Sequence, residues 1–212
     1  MLINELADDC LLTIFEYVND LDDLINCYKV CVGWSYLIAK RARKVKYLLE
    51  DPHQTADINR WPDHSADYSD IQYLFDCVYY QGKDKIDVVC LNKLFPNLKI
   101  FELTDRFQNK VSRMDIVSFV RNHASLKGII DLDSKNPLEE YCDKLEMLSC
   151  WSFESSKIPN GSRIKQLFIE SDDSLEDVKR YAHDFPNLEK LQTSVNKNGN
   201  YVIQYFFVKS AC

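Results

Sequence analysis

One phrase occurs twice in this chain, as Phe95-Pro96-Asn97-Leu98 and as Phe185-Pro186-Asn187-Leu188. Each opens an apolar-x-x-apolar segment, and the two belong to a longer series. Leu98-Lys99-Ile100-Phe101-Glu102-Leu103, Leu126-Lys127-Gly128-Ile129 and Leu145-Glu146-Met147-Leu148-Ser149-Cys150 share the pattern. So do Ile164-Lys165-Gln166-Leu167-Phe168-Ile169 and Leu188-Glu189-Lys190-Leu191. Ile71-Gln72-Tyr73-Leu74 is a weaker sixth, and Val45-Lys46-Tyr47-Leu48 a degenerate start. From Ile71 onward, first positions are separated by 27, 28, 19, 19 and 24 residues. A unit of that length holds one strand and a short helix, and buries its apolar side only against the next copy. The period therefore predicts a stacked α/β architecture with a parallel inner sheet.

Between the strands the helical half of each unit is visible. Met114 to His123 places Ile116, Val117 and Val120 on one side with Phe119 beside them, and Ser174 to His183 places Leu175, Val178 and Ala182 likewise. Ser174 with Asp177 is a capping-box-like opening, and Pro137 and Leu138 open a shorter helix. At the end, residues 188–195 and 201–208 flank Asn196-Lys197-Asn198-Gly199-Asn200, which predicts an antiparallel hairpin covering the solenoid's open edge. Residues 51–70, with Pro52, Pro62, His53 and His64, read as a loop whose Trp61 packs back on the repeats in preference to gripping a partner. The series resembles leucine-rich repeats over about Ile71 to Val195, with units inside the roughly 20–29 residues of that class. The asparagine that follows each strand in that family is missing here.

The first 44 residues follow a different pattern. Asp8 is the expected N-cap of a helix from Asp9 to about Val18, whose Leu11, Ile14, Phe15 and Val18 share one face. Cys10 and Tyr17 widen the apolar arc beyond what a small bundle normally keeps on its outer side. A second helix is expected over Asp22 to Val30, and a third from Trp34 with Leu37 and Ile38. Three such helices bury too little surface to be robust alone, so a partner is implied.

The run Leu6-Ala7-Asp8-Asp9-Cys10-Leu11-Leu12-Thr13-Ile14-Phe15-Glu16-Tyr17-Val18 resembles the opening of an F-box. Leu21, Leu24, Tyr28-Lys29-Val30-Cys31 and Trp34 fit the rest of the motif, and the resemblance covers about Ile3 to Arg43. Ala7 stands where the family usually has proline, and Val18 where it has leucine. The resemblance implies docking on the Skp-type adaptor of a cullin-RING ubiquitin ligase. By position, Leu6, Leu11, Ile14, Phe15, Val18, Val30 and Trp34 match motif residues that serve either the bundle core or the adaptor interface. Sequence alone does not divide them.

Little else points to chemistry. The 212 residues carry a net charge of −7, which opposes general nucleic-acid binding. The five glycines are scattered, so no phosphate-cradling loop is present. No apolar run reaches the roughly 20 residues that span a bilayer. The acidic N-terminus is unlike a signal peptide, so a cytoplasmic or nuclear location is expected, with the eight cysteines as buried thiols. Cys27 and Cys31 lack the C-x-x-C spacing of zinc sites and read as core thiols, each histidine reads as a surface or helix-end residue, and no nucleophile motif occurs. The basic run Lys40, Arg41, Arg43, Lys44 and Lys46 reads as a solvated helix face, in preference to nuclear import or phosphate contact. Strand alternation sends the repeat leucines inward and leaves Ile130, Leu132, Met147, Trp151 and Phe168 side by side on the open concave face; this row is the expected target site, the alternatives being that the hairpin or the 51–70 loop covers it or that the register is off by one.

The resulting expectation is an α/β chain with an F-box at residues 1–44 and a short irregular leucine-rich-repeat solenoid at 45–212, closed by a hairpin at 188–208. Its expected role is non-catalytic: a substrate receptor of a Skp–cullin–F-box ligase, without metal, cofactor, nucleic acid or membrane. The alternatives are a repeat-based interaction scaffold whose helices only cap the solenoid, and a thiol-dependent hydrolase.

Overall fold

The computed structural model describes residues 3–50, 76–81, 88–131, 144–150, 163–169, 185–197 and 200–207. They form a mixed α/β chain that divides into two compact units, one of residues 1–99 with 123–125 and the other of 100–122 with 126–212.

The first unit opens with a short 3-10 turn and three helices, α1 (Asp8–Glu16), α2 (Leu21–Tyr28) and α3 (Val32–Ala42). The first helix begins one residue earlier than expected: Asp8 is inside it, and Ala7 occupies the cap position without a side-chain hydrogen bond. The second is capped by the Asp20 carboxylate, which accepts from the Asp22 and Asp23 amides at 2.9 and 3.0 Å. Cys31 caps the third, its sulfur accepting from Trp34 N at 3.5 Å. Leu11, Phe15, Leu21, Leu24, Leu37, Ile38 and Ala42 form the shared core. Strands β1 (Tyr47–Glu50) and β2 (Cys77–Tyr80) pair in parallel, Tyr47 opposite Cys77, and α4 (Val88–Leu94) follows. The helices are tied to β2 directly, because Tyr79 N donates to Asn19 O at 2.7 Å. Strand β2 was not anticipated, while the Ile71–Leu74 segment and the 51–70 loop lie outside the described residues.

In the second unit β3 (Ile100–Glu102), β4 (Gly128–Asp131), β5 (Met147–Cys150), β6 (Gln166–Ile169) and β7 (Lys190–Lys197) are parallel neighbours in that order. The last strand, β8 (Asn200–Phe207), pairs antiparallel to β7. Lys197 lies opposite Asn200, so two residues of sequence, Asn198 and Gly199, join the strands where five were expected to turn. One side chain per strand recurs in register: Phe101, Ile129, Leu148, Leu167 and Leu191 align across the sheet and are all buried. Helices α5 (Asp105–Gln108) and α6 (Arg113–Asn122) pack where Phe101 meets Phe107 and Phe119, with ring centroids 4.8 and 5.4 Å apart and near-perpendicular planes. Ser112 caps α6, accepting from Asp115 N and donating to the Asp115 carboxylate. The expected helices at 137 and 174–183 lie outside the described residues.

Candidate functional site

Nine large apolar side chains are exposed among the described residues, and seven of them fall between Ile3 and Tyr36. Water contact at that density is costly, at about 25 cal/mol per Å² of apolar surface, so the first unit carries a surface that its own core does not use.

The seven residues expected from the sequence to serve an adaptor or the bundle core separate into three groups. Leu11 and Phe15 are buried, and Phe15 packs edge-on against Trp34 with centroids 4.9 Å apart. Leu6, Val18 and Trp34 are half-buried. Ile14 and Val30 are exposed, at 43% and 56%. The reason is helical phase: Leu11 and Phe15 are four apart and turn toward α3, while Ile14 lies about 100° around the helix from Phe15. Exposed neighbours of the same type extend the outer face. On α1, Cys10 and Ile14 are four residues apart, with Tyr17 at the helix end, and on α3 Val32, at 86% exposure, and Tyr36 are also four apart. Tyr28 completes the set at the end of α2. Tyr28, Val32 and Tyr36 were missed as site residues. The available signal was that α3 sends Leu37, Ile38 and Ala42 inward, which leaves Val32 and Tyr36 on the other side.

The charges around this surface are ordered. Asp8, Asp9, Asp22 and Asp23 occupy first turns of α1 and α2, where carboxylates complement the helix dipole. Lys44 forms an ion pair with Glu16 and joins the end of α3 to α1. Arg41, expected on a solvated face, is fully buried instead. Its Nη2 donates to Asn19 Oδ1 at 3.1 Å, while Nε and Nη1 have no hydrogen-bond partner among the described residues. Burial lowers the Arg41 pKa, and Glu16 and Asp76 act in the opposite direction.

The thiols are also partly misplaced by the sequence reading. Cys77 and Cys150 are buried, but Cys10 and Cys31 are exposed, Cys31 because it serves as a helix cap. Burial, then Asp23, raise the Cys27 pKa and keep that thiol protonated. His123, at the end of α6, is buried and bonded to Phe95 O at 2.8 Å through Nε2. Among the described residues no group of three or more His, Cys, Asp or Glu could hold a metal ion, and no helix is long and apolar enough to cross a membrane.

On the second unit the expected open row is only partly open. Ile130 is a correction: it retains 7% exposure, because on β4 it is flanked by Glu102 of β3 and Ser149 of β5. Thr104, Gly128, Ser149 and Gln192, which strand alternation puts on the same face as Ile130, are buried as well. Met147 and Phe168 are half-buried, and Gln166 is exposed beside Met147. Leu132 and Trp151 lie outside the described residues.

A comparison with protein-family models finds none that matches this chain, and no curated protein matches it.

Proposed function

We propose that this chain is the substrate-recognition subunit of a Skp–cullin–F-box ubiquitin ligase. The first three helices dock on the Skp-type adaptor, and the parallel strands of the second unit carry the target. Binding is its whole task, and ubiquitin transfer to the target follows from proximity. The observation that carries the reading is the concentration of exposed apolar side chains on α1 to α3, at and beside positions that resemble the F-box motif. Ile14, Val30 and the added Tyr17, Tyr28, Val32 and Tyr36 are the adaptor contacts, while Leu11 and Phe15 hold the helices together. Met147 and Phe168 are the apolar residues offered to the target. The test is co-purification of the full chain with the adaptor, set against Ile14→Glu with Val30→Glu.

One observation favours a second reading. The helices share hydrogen bonds with β2 through Asn19 and Tyr79, and Asp20 bridges Tyr79 in parallel fashion. Helices bonded into a strand in this way also suit a cap on a repeat-based interaction scaffold. The two readings part on solution behaviour: a receptor is aggregation-prone until the adaptor is added, whereas a capped scaffold is a well-behaved monomer alone.

A further inference from the structure

A cavity of about 370 Å³ in the first unit is lined by Arg43, Lys44, Lys46, Asp76, Asn97, Lys99 and Ser125. Four of those seven residues are cations and one is an anion, in a chain whose net charge is −7. Lys44 is paired with Glu16, and Lys46 with Asp76. Arg43 and Lys99 have no ion-pair partner among the described residues, so two positive charges are left over.

The backbone shows that this surplus departs from the protein's own pattern. In the second unit Lys127, Glu146, Lys165 and Glu189 occupy one row, the amides of Glu146, Lys165 and Glu189 donating to the carbonyls of Lys127, Glu146 and Lys165, each at 2.8 Å. The signs alternate along that row, and the Lys127–Glu146 pair closes to 3.2 Å. In the first unit the same row runs Asp76, Lys46, Lys99: Lys46 N donates to Asp76 O and Lys99 N to Lys46 O. Here two lysines are neighbours, an arrangement that repels unless an anion lies between them.

We infer that this cavity binds a phosphate dianion, free or as a terminal monoester. The two unpaired cations match the charge of about −1.5 to −2 that such a group carries at pH 7. Arg43 supplies a fork of donors suited to paired oxygens, and Lys99 a compact ammonium. Lys44 and Lys46 each keep ammonium protons beyond the one used in their ion pairs. Asn97 is held in the wall by its Nδ2 donating to Arg43 O at 2.8 Å, and Ser125 by Oγ donating to Pro96 O at 2.6 Å. The volume falls within the range of about 300–1,000 Å³ usual for small-ligand pockets and leaves room for more than the phosphate group itself. None of the proposed adaptor contacts lines this site, and its test does not depend on that reading.

Titration of the full chain with inorganic phosphate and with O-phosphoserine, at low ionic strength, tests the inference by calorimetry. Saturable binding of either ligand is expected, weakening as sodium chloride is raised. Equal affinities would mean the phosphate group alone is recognised, and tighter O-phosphoserine that the carrier also touches the walls. Arg43→Glu with Lys99→Glu should lose roughly tenfold or more, the scale of a lost charge-assisted hydrogen bond. Lys93→Glu, an exposed change on α4, should bind as the parent does. If the charge-reversed pair fails to fold, Arg43→Gln with Lys99→Gln replaces it. No binding of either ligand, or unaltered affinity in the folded Arg43/Lys99 variant, would overturn the site.

Discussion

Phe15 meets Trp34 edge to face, with ring centroids 4.9 Å apart and planes inclined at 68°. One ring comes from α1 and the other from α3, so this contact fixes how the two helices pack. Phe15 is 2% exposed, whereas its sequence neighbour Ile14 is 43% exposed. Adjacent residues of similar hydrophobicity therefore have opposite roles, and replacement should separate them. Phe15→Ala should cost about 3–5 kcal/mol of stability, the usual range for emptying a buried aromatic site. Ile14→Ser should fall within about 0.5 kcal/mol of the parent, as surface changes do. Urea denaturation of the two variants measures both.

The Asp20 carboxylate satisfies two amides at the start of α2. Asp20→Ala removes both bonds and should cost about 1 kcal/mol, with Asp20→Asn retaining much of the cap. Thermal melts of the three proteins give the order parent, then Asn, then Ala.

Gly128 is buried beside Met147, its register partner on β5. A Cβ at residue 128 would stand 2.8 Å from Met147 Cε and 3.2 Å from Met147 Cβ. The methyl end of methionine swings away, but its Cβ is fixed to the strand. Gly128→Val should therefore destabilise by about 1–3 kcal/mol through overpacking. Removing that Cβ with Met147→Gly in the same chain should recover part of that loss, giving a non-additive double-mutant cycle.

The Lys127 ammonium holds the Glu146 carboxyl below its ordinary range, chiefly by hydrogen bonding. A folded-state pKa below the unfolded one contributes stability above the unfolded value, and that contribution is lost as pH falls through the folded one. For Lys46 the sign reverses. Hydrogen bonding to Asp76 raises its pKa, so its contribution is present below the ordinary lysine range and lost as pH rises past the raised value. Glu146→Gln should thus melt below the parent at neutral pH and converge with it in acid. Lys46→Met should converge with the parent only in strong alkali. Both groups face solvent, and added salt should shrink both differences.

Much of the β framework is legible in the residues. The apolar-x-x-apolar phase identifies Phe101, Ile129, Leu148, Leu167 and Leu191 as one buried line, since alternation and repeat length both follow from backbone geometry. What alternation does not carry is how far the opposite face is covered. Ile130 reads as open because its side chain points away from the leucines, yet flanking strands on both sides bury it. Arg41 is misread for a related reason: it stands in a run of cations, and only the fold brings Asn19, Glu16 and Asp76 near it. Strand β2 has no leucine repeat, and its Cys77, Val78 and Tyr80 are buried without the periodic signal. In the helices the apolar excess is visible from the sequence, but its division between Phe15 and Ile14 needs the packing partner Trp34.

Co-purification with the Skp-type adaptor is the decisive test of the proposed receptor role. The full parent chain should retain the adaptor, and Ile14→Glu with Val30→Glu should lose it while keeping the parent's circular dichroism spectrum. Each central apolar anchor is expected to cost about 2 kcal/mol or more of binding. Equal retention of the adaptor by parent and folded variant, or a monodisperse parent that retains none, would contradict the assignment.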